Sequence, residues 1–237
     1  MKKVAIMQPT YLPWMGYFSL INQVDIFVIY DDVQFDKRSW QQRNKIKNQS
    51  GAQWLTVPVL TKNKSSQKIN DVSIIKESGF EKDHIKAIEI NYSKAPFFKI
   101  YKNEIFDCLE ANHHKILELN YSLILKISNI LNIQTDFIKS SKLKDLQGKK
   151  DERLIEICKE LSAKEYVSPE GSKSYLEGGE SFLANDIKLT YQSFKHPIYP
   201  QIYGAFESHM SIIDALFNCG SDKTFELIEE SSMISSI

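Results

Sequence analysis

The residues best suited to chemistry begin eight positions into the chain. Gln8, Pro9, Thr10 and Tyr11 lead through Leu12 and Pro13 to Trp14, Gly16 and Tyr17. Amide, hydroxyl and indole groups on a rigid turn suit the holding of a nucleotide or a sugar. Gly16 would let a backbone or a ligand come close at a first helical turn, where free N–H groups favour anions. The bland alternative is a loop whose polar groups only start a helix. Asp31 and Asp32 form a second set, with Gln34 just beyond. An aspartate here could be a general base, a ribose acceptor or a metal ligand, or simply a turn cap. Neighbours at a strand end point different ways, so one of the pair is expected to face a pocket.

Arg43, Asn44 and Lys45 put two cations beside an amide, a set that suits a diphosphate or a carboxylate. A solvated basic loop would read the same way. Ser168, Gly171 and Tyr175 lie in a loop whose backbone N–H groups could hold a phosphate, although neither GxGxxG nor a Walker pattern is present. Imidazole titrates near neutrality, so His84, His113, His114, His196 and His209 are each a candidate base. His196 and His209 flank the aromatic stretch Tyr199–Phe206, and with Tyr17 and Asp32 they make the expected catalytic group. Ser211 and Asp214 read equally as a helix-start pair.

These residues must be carried by elements that bring them together. Val4–Met7 is a short apolar run and reads as a buried strand. Two prolines end it, Trp14–Val24 has helical apolar spacing, and Ile26–Tyr30 is a second buried strand. Strand, loop, helix and strand make a βαβ unit, which favours a parallel sheet with a right-handed crossover. The Gln8–Pro13 loop and Asp31-Asp32 then share the carboxyl rim, where open α/β sheets bind ligands. Further strands are expected at Trp54–Leu60, Val72–Ile75, Phe137–Ser140, Glu165–Val167 and Ile187–Gln192. Helices are expected at Glu81–Ile90, Phe97–Leu109, Asn112–Asn132, Lys150–Ser162, Met210–Asn218 and Glu226–Met233. The fold class is α/β, a Rossmann-like parallel sheet flanked by helices. One domain spans residues 1–237, with 80–132 as a helical layer or insertion.

Composition narrows the function. The 237 residues carry 30 basic and 30 acidic side chains, so no general basic field invites nucleic acid. Cys108, Cys158 and Cys219 are odd in number and far apart, which argues against a disulfide framework or a zinc site. No apolar stretch approaches the ~18 residues of a membrane span, and the N-terminus lacks a signal-peptide core. The expectation is a cytoplasmic protein, with a homodimer left open.

Taken together, Gln8–Phe18, Asp25–Gln34, Arg43–Ile46, Trp54–Val59, Tyr166–Tyr175 and Ser211–Asp214 resemble the WbqC-like family, in order and spacing, over nearly the whole chain. That resemblance implies a role in bacterial O-antigen or other surface-polysaccharide biosynthesis. It points to a transferase that moves an acyl or aminoacyl group, such as glycyl, to the amine of a nucleotide-linked amino sugar. The donor is not implied. A fainter likeness is to HxGH nucleotidyltransferases: Thr10–Tyr17 keeps the proline, the glycine and the spacing, but Trp14 and Tyr17 stand where the histidines would. Two alternatives follow, an adenylating enzyme that uses ATP and magnesium, and a non-catalytic nucleotide-sugar-binding protein.

Overall fold

The first apolar run forms β1 (Lys3–Met7), which lies inside a six-stranded sheet. The computed structural model describes the chain except for Asn63, Ser65, Asp145, Ser174, Tyr175, Glu177, Gly178 and Ile237. Tyr175 therefore lies outside the described residues. After β1 come α1 (Met15–Asn22), β2 (Ile26–Ile29), β3 (Arg43–Asn48) and β4 (Gly51–Thr56). Three helices follow, α2 (Phe80–Tyr92), α3 (Phe98–Glu110) and α4 (Ile116–Ile130). The rest is β5 (Asp136–Lys139), α5 (Asp151–Glu160), β6 (Glu165–Pro169), α6 (Glu180–Leu183), β7 (Lys188–Phe194), α7 (Ile212–Glu230) and β8 (Ser232–Ser236).

The strand order is β5-β2-β1-β6-β7-β8. Every pair is parallel except β7 with β8. The fold is thus the expected α/β type, a mostly parallel sheet flanked by helices. Both faces of the sheet are covered, as parallel strands require. Alternation sends Ala5, Phe27 and Ile29 into one core with α1, α4 and α7. Val4, Ile6 and Val28 enter the other, with Ile155, Ile157 and Cys158 of α5 and Phe182 of α6. Cys108 and Cys158 are free, buried thiols, filling space as small hydrophobes. Among the described residues, no helix is long and apolar enough to cross a membrane.

Four expectations need correcting. Arg43-Asn44-Lys45 is a strand, paired antiparallel with β4 in a separate two-stranded sheet. The strand expected at Trp54–Leu60 begins earlier and stops at Thr56, two residues before Pro58. Val72–Ile75 makes only isolated bridges, Ser73 with Lys115 and Ile74 with Val59. At the C-terminus the two expected helices meet at Gly220, whose backbone is not helical (φ 81°), and the second ends at Glu230. Met233 belongs to an edge strand rather than to a last helix. A Cβ on Gly220 would lie 2.8 Å from the Phe97 ring, so both the backbone angle and the packing demand glycine there.

Candidate active site

The sheet itself creates the cleft. The chain leaves β1 towards β2 on one side, while β6 was laid down on the other, so the order reverses at β1 and β6. Ligands bind at such switch points, outside the carboxyl ends. The two strands are in register only at Lys3–Glu165 and Val4–Tyr166. Beyond that they part. A cavity of about 450 Å³ opens between Met7, Gln8 and Thr10 on one rim and Tyr166, Ser168 and Ser172 on the other. Asp36, Ser39, Trp40 and Gln41 close its outer side. A second cavity of about 310 Å³ shares Met7, Thr10 and Trp40 with it and is walled by Trp14, Tyr17, Asn44 and His209. The cleft therefore has two lobes, one rich in hydroxyls and amides, the other mostly aromatic.

The opening loop is fixed by buried amides. Asn44 donates to the carbonyls of Tyr11 and Leu12 (3.3 and 2.7 Å), and Asn120 donates to those of Pro9 and Gln41 (3.3 and 2.7 Å). The Tyr11 hydroxyl lies 2.7 Å from His84 Nδ1 inside the core. Burial pushes the His84 imidazole down to about 4 and the Tyr11 hydroxyl up, so both stay neutral near pH 7. Pro9, Tyr11 and His84 thus shape the loop from beneath. Gln8 is exposed at its tip, and its Oε1 accepts from Gln41 Nε2 at 2.8 Å. Gln8 lines the lobe rich in hydroxyls and amides. Gly16 is required by Trp14: a Cβ there would fall 2.3 Å from the indole. Any larger residue must move the wall of the aromatic lobe.

Tyr17 lines that lobe, and its hydroxyl donates to the Gln8 carbonyl at 3.2 Å. Burial raises its pKa, so the phenol remains a donor and not a base. His209 comes from the loop before α7. Its ring stacks on Trp14 with centroids 5.1 Å apart, and lies tilted by 39° against His196 at 4.8 Å. His196 in turn stacks on Trp14 at 6.1 Å. His196 Nδ1 is 2.9 Å from the Pro197 carbonyl, which can only accept, so Nδ1 carries the proton and Nε2 keeps its lone pair. Burial, then the nearby His209, lowers the His196 pKa. The loop is anchored where it meets the site: Ser211 N–H donates to Lys45 O at 2.8 Å, and Ile212 N–H to Pro13 O at 2.9 Å.

The two aspartates do share the β1 rim, since β1 and β2 are parallel with Met7 opposite Ile29. Neither carboxylate lines either lobe of the cleft. Asp31 is buried and accepts from Ser140 Oγ, Ser141 N and Ser141 Oγ at 3.0, 2.9 and 2.7 Å. Asp32 pairs with Arg153 and accepts from Ser140 Oγ at 2.6 Å. The pair ties β2 to the end of β5. Gln34 is exposed and bridges to Lys68. Gly171 is also exposed, with nothing within 4 Å of a Cβ. Ser168 and Ser172 lie 2.7 Å apart on the polar lobe wall. Arg43 and Lys45 alternate on the outer face of β3, with Arg43 Cζ 4.4 Å and Lys45 Nζ 5.0 Å from the Trp54 ring centre. That ring meets Trp40 at the cleft mouth, with centroids 5.4 Å apart.

Sequence alone does not single out Asp36, Ser39, Trp40 and Gln41, which line the cleft. Their only signal was position, in a polar stretch between Asp31-Asp32 and Arg43. A third cavity, about 460 Å³, sits elsewhere, between the β3–β4 turn and α2, and contains none of the sequence candidates.

The family profile that matches is that of the WbqC-like protein family, over residues 8–226. The chain belongs to the WbqC-like family. The match starts at Gln8, the tip of the cleft loop, and ends inside α7. A relative, "Uncharacterized protein Rv1507c" of Mycobacterium tuberculosis (strain ATCC 25618 / H37Rv), is 41% identical over 228 residues, 94% of this chain and 96% of its own length. No solved structure matches.

Proposed function

We propose that the cleft belongs to a cytoplasmic transferase of surface-polysaccharide biosynthesis that places an acyl or aminoacyl group on the amine of a nucleotide-linked amino sugar. The observation that carries this reading is the joining of two unlike lobes at one switch point, with His209 in the wall of one. A sugar suits the hydroxyl- and amide-lined lobe of Gln8, Ser39, Gln41, Ser168 and Ser172. Arg43 and Lys45 stand beside the mouth to meet a diphosphate. His209 takes the proton from the attacking amine, and His196 behind it can accept hydrogen bonds through Nε2. Tyr17 stays protonated, and Asp32 is held by Arg153, so neither competes for that task. Family membership supports the pathway.

The test is a thermal shift with UDP- and dTDP-linked amino sugars, followed by mass spectrometry of the sugar after an acyl donor is added. A stabilised protein and a sugar that gains the acyl mass are expected. Gln8→Ala and Arg43→Ala should abolish the ligand-induced shift while the unliganded melting point stays within about 2 °C, since surface changes cost under about 0.5 kcal/mol. A normal ligand response in both variants would remove the cleft from the account. The stacking of two imidazoles on Trp14 favours a second reading, nucleotidyl transfer. Stabilisation by ATP together with release of pyrophosphate would select it.

A further inference from the structure

Two tryptophans stand in solvent where they have no packing reason to be. Trp40 is 48% exposed and Trp54 42% exposed, although indoles normally bury most of their surface. They touch one another, with centroids 5.4 Å apart and planes 35° off parallel. Trp54 lies opposite Lys45 across the β3–β4 ladder, and Arg43 is its diagonal neighbour. Both cations rest on the Trp54 ring. Among the described residues neither has a carboxylate within ion-pair distance. Lys47, next on the same strand face, shows the contrast. It is buried, donates to Gln201 Oε1 and the Ala205 carbonyl, and lies near Asp214. The patch is thus left open at Arg43, Lys45, Trp40 and Trp54, and Trp40 continues from it into both lobes of the cleft.

We infer that this patch is the nucleoside diphosphate subsite: the nucleobase stacks on the Trp40–Trp54 pair while Arg43 and Lys45 take the two phosphates. A flat π-face beside two unpaired cations fits one ligand class that carries both a ring and a double anion. A neutral sugar would leave the cations unused, and inorganic pyrophosphate would leave the indoles exposed. Zero net charge gives no field for a nucleic acid strand. The inference rests on the nucleotide-linked reading of the cleft, but needs neither the amine nor the acyl transfer.

The experiment is tryptophan fluorescence of the full chain titrated with UDP, dTDP, ADP and GDP, and separately with pyrophosphate and with a free amino sugar. At least one nucleoside diphosphate should quench and saturate, and the free sugar should not quench. Trp40→Ala and Trp54→Ala should each weaken that diphosphate roughly tenfold or more, as expected for lost base stacking, with Trp40→Phe retaining most of the affinity. Pyrophosphate affinity should survive Trp40→Ala and fall in Arg43→Ala and Lys45→Ala. Circular dichroism and the unliganded melting point identify any variant that fails to fold. Lack of binding by all four diphosphates, or unchanged affinity in both folded Ala variants, would overturn the subsite. Acyl transfer to a nucleotide-linked sugar with those same variants unimpaired would overturn it while leaving the transferase reading standing. Diphosphate binding without any transfer would do the reverse.

Discussion

Replacing Asp214 by alanine is expected to lower stability by about 3 kcal/mol or more, since each buried donor left without an acceptor costs about 1–3 kcal/mol. Asp214 is fully buried in the first turn of α7. Tyr92 Oη donates to Oδ1 at 2.8 Å, and Tyr199 Oη and Gln201 Nε2 donate to Oδ2 at 2.8 and 2.7 Å. Burial raises its carboxyl above the ordinary range, while these donors and Lys47 act in the opposite sense. Alanine would strand two tyrosine hydroxyls and the Gln201 amide. Tyr92 also accepts from the Lys47 backbone at 2.8 Å, so the damage spreads from α7 to α2 and β3. Urea unfolding measures the loss. A cost below about 1 kcal/mol would mean that the three stranded donors find other acceptors. Because the same network holds the 199–207 segment, Asp214→Ala should also loosen the approach to His209.

His209→Ala is expected to slow transfer by roughly 10²–10⁴-fold, the usual contribution of a positioned base. Affinity for the nucleotide should change little, because Arg43 and Lys45 rest on the Trp54 ring and line neither lobe, whereas His209 lines the aromatic one. Single-turnover mass gain on the sugar separates the two quantities. The alanine also removes a ring from the Trp14 stack, so added imidazole provides the control. Partial rescue would tie the defect to the proton, whereas a rate within threefold of wild type would take the base role from His209.

The opening of the fold could be read from sequence because the same residues satisfy local and global demands there. Val4–Met7 and Ile26–Ile29 are apolar on both faces, and both faces of the sheet are covered. Strand β3 was hidden for the opposite reason. Its inward residues are Asn44 and Ile46, and Asn44 is buried only because two loop carbonyls accept from it. Its buried Lys47 depends on Gln201, more than a hundred residues away. No period-two apolar pattern survives such substitutions. Strand β8, SMISS, is equally silent; it forms by adding to the edge of β7. The Asp31-Asp32 pair was placed on the correct rim, but the partners that turn it from the cleft, Ser140, Ser141 and Arg153, are distant in sequence. His209 was visible as a residue type, but its stacking on Trp14 was not.

Hydrogen–deuterium exchange with and without a UDP-linked amino sugar tests the site most directly. Protection is expected in residues 7–17, 36–45, 54–56, 166–172 and 205–211, the segments that wall the two lobes and the tryptophan patch. Protection confined to 48–53 and 83–91, around the cavity beside α2, would contradict the assignment of the cleft.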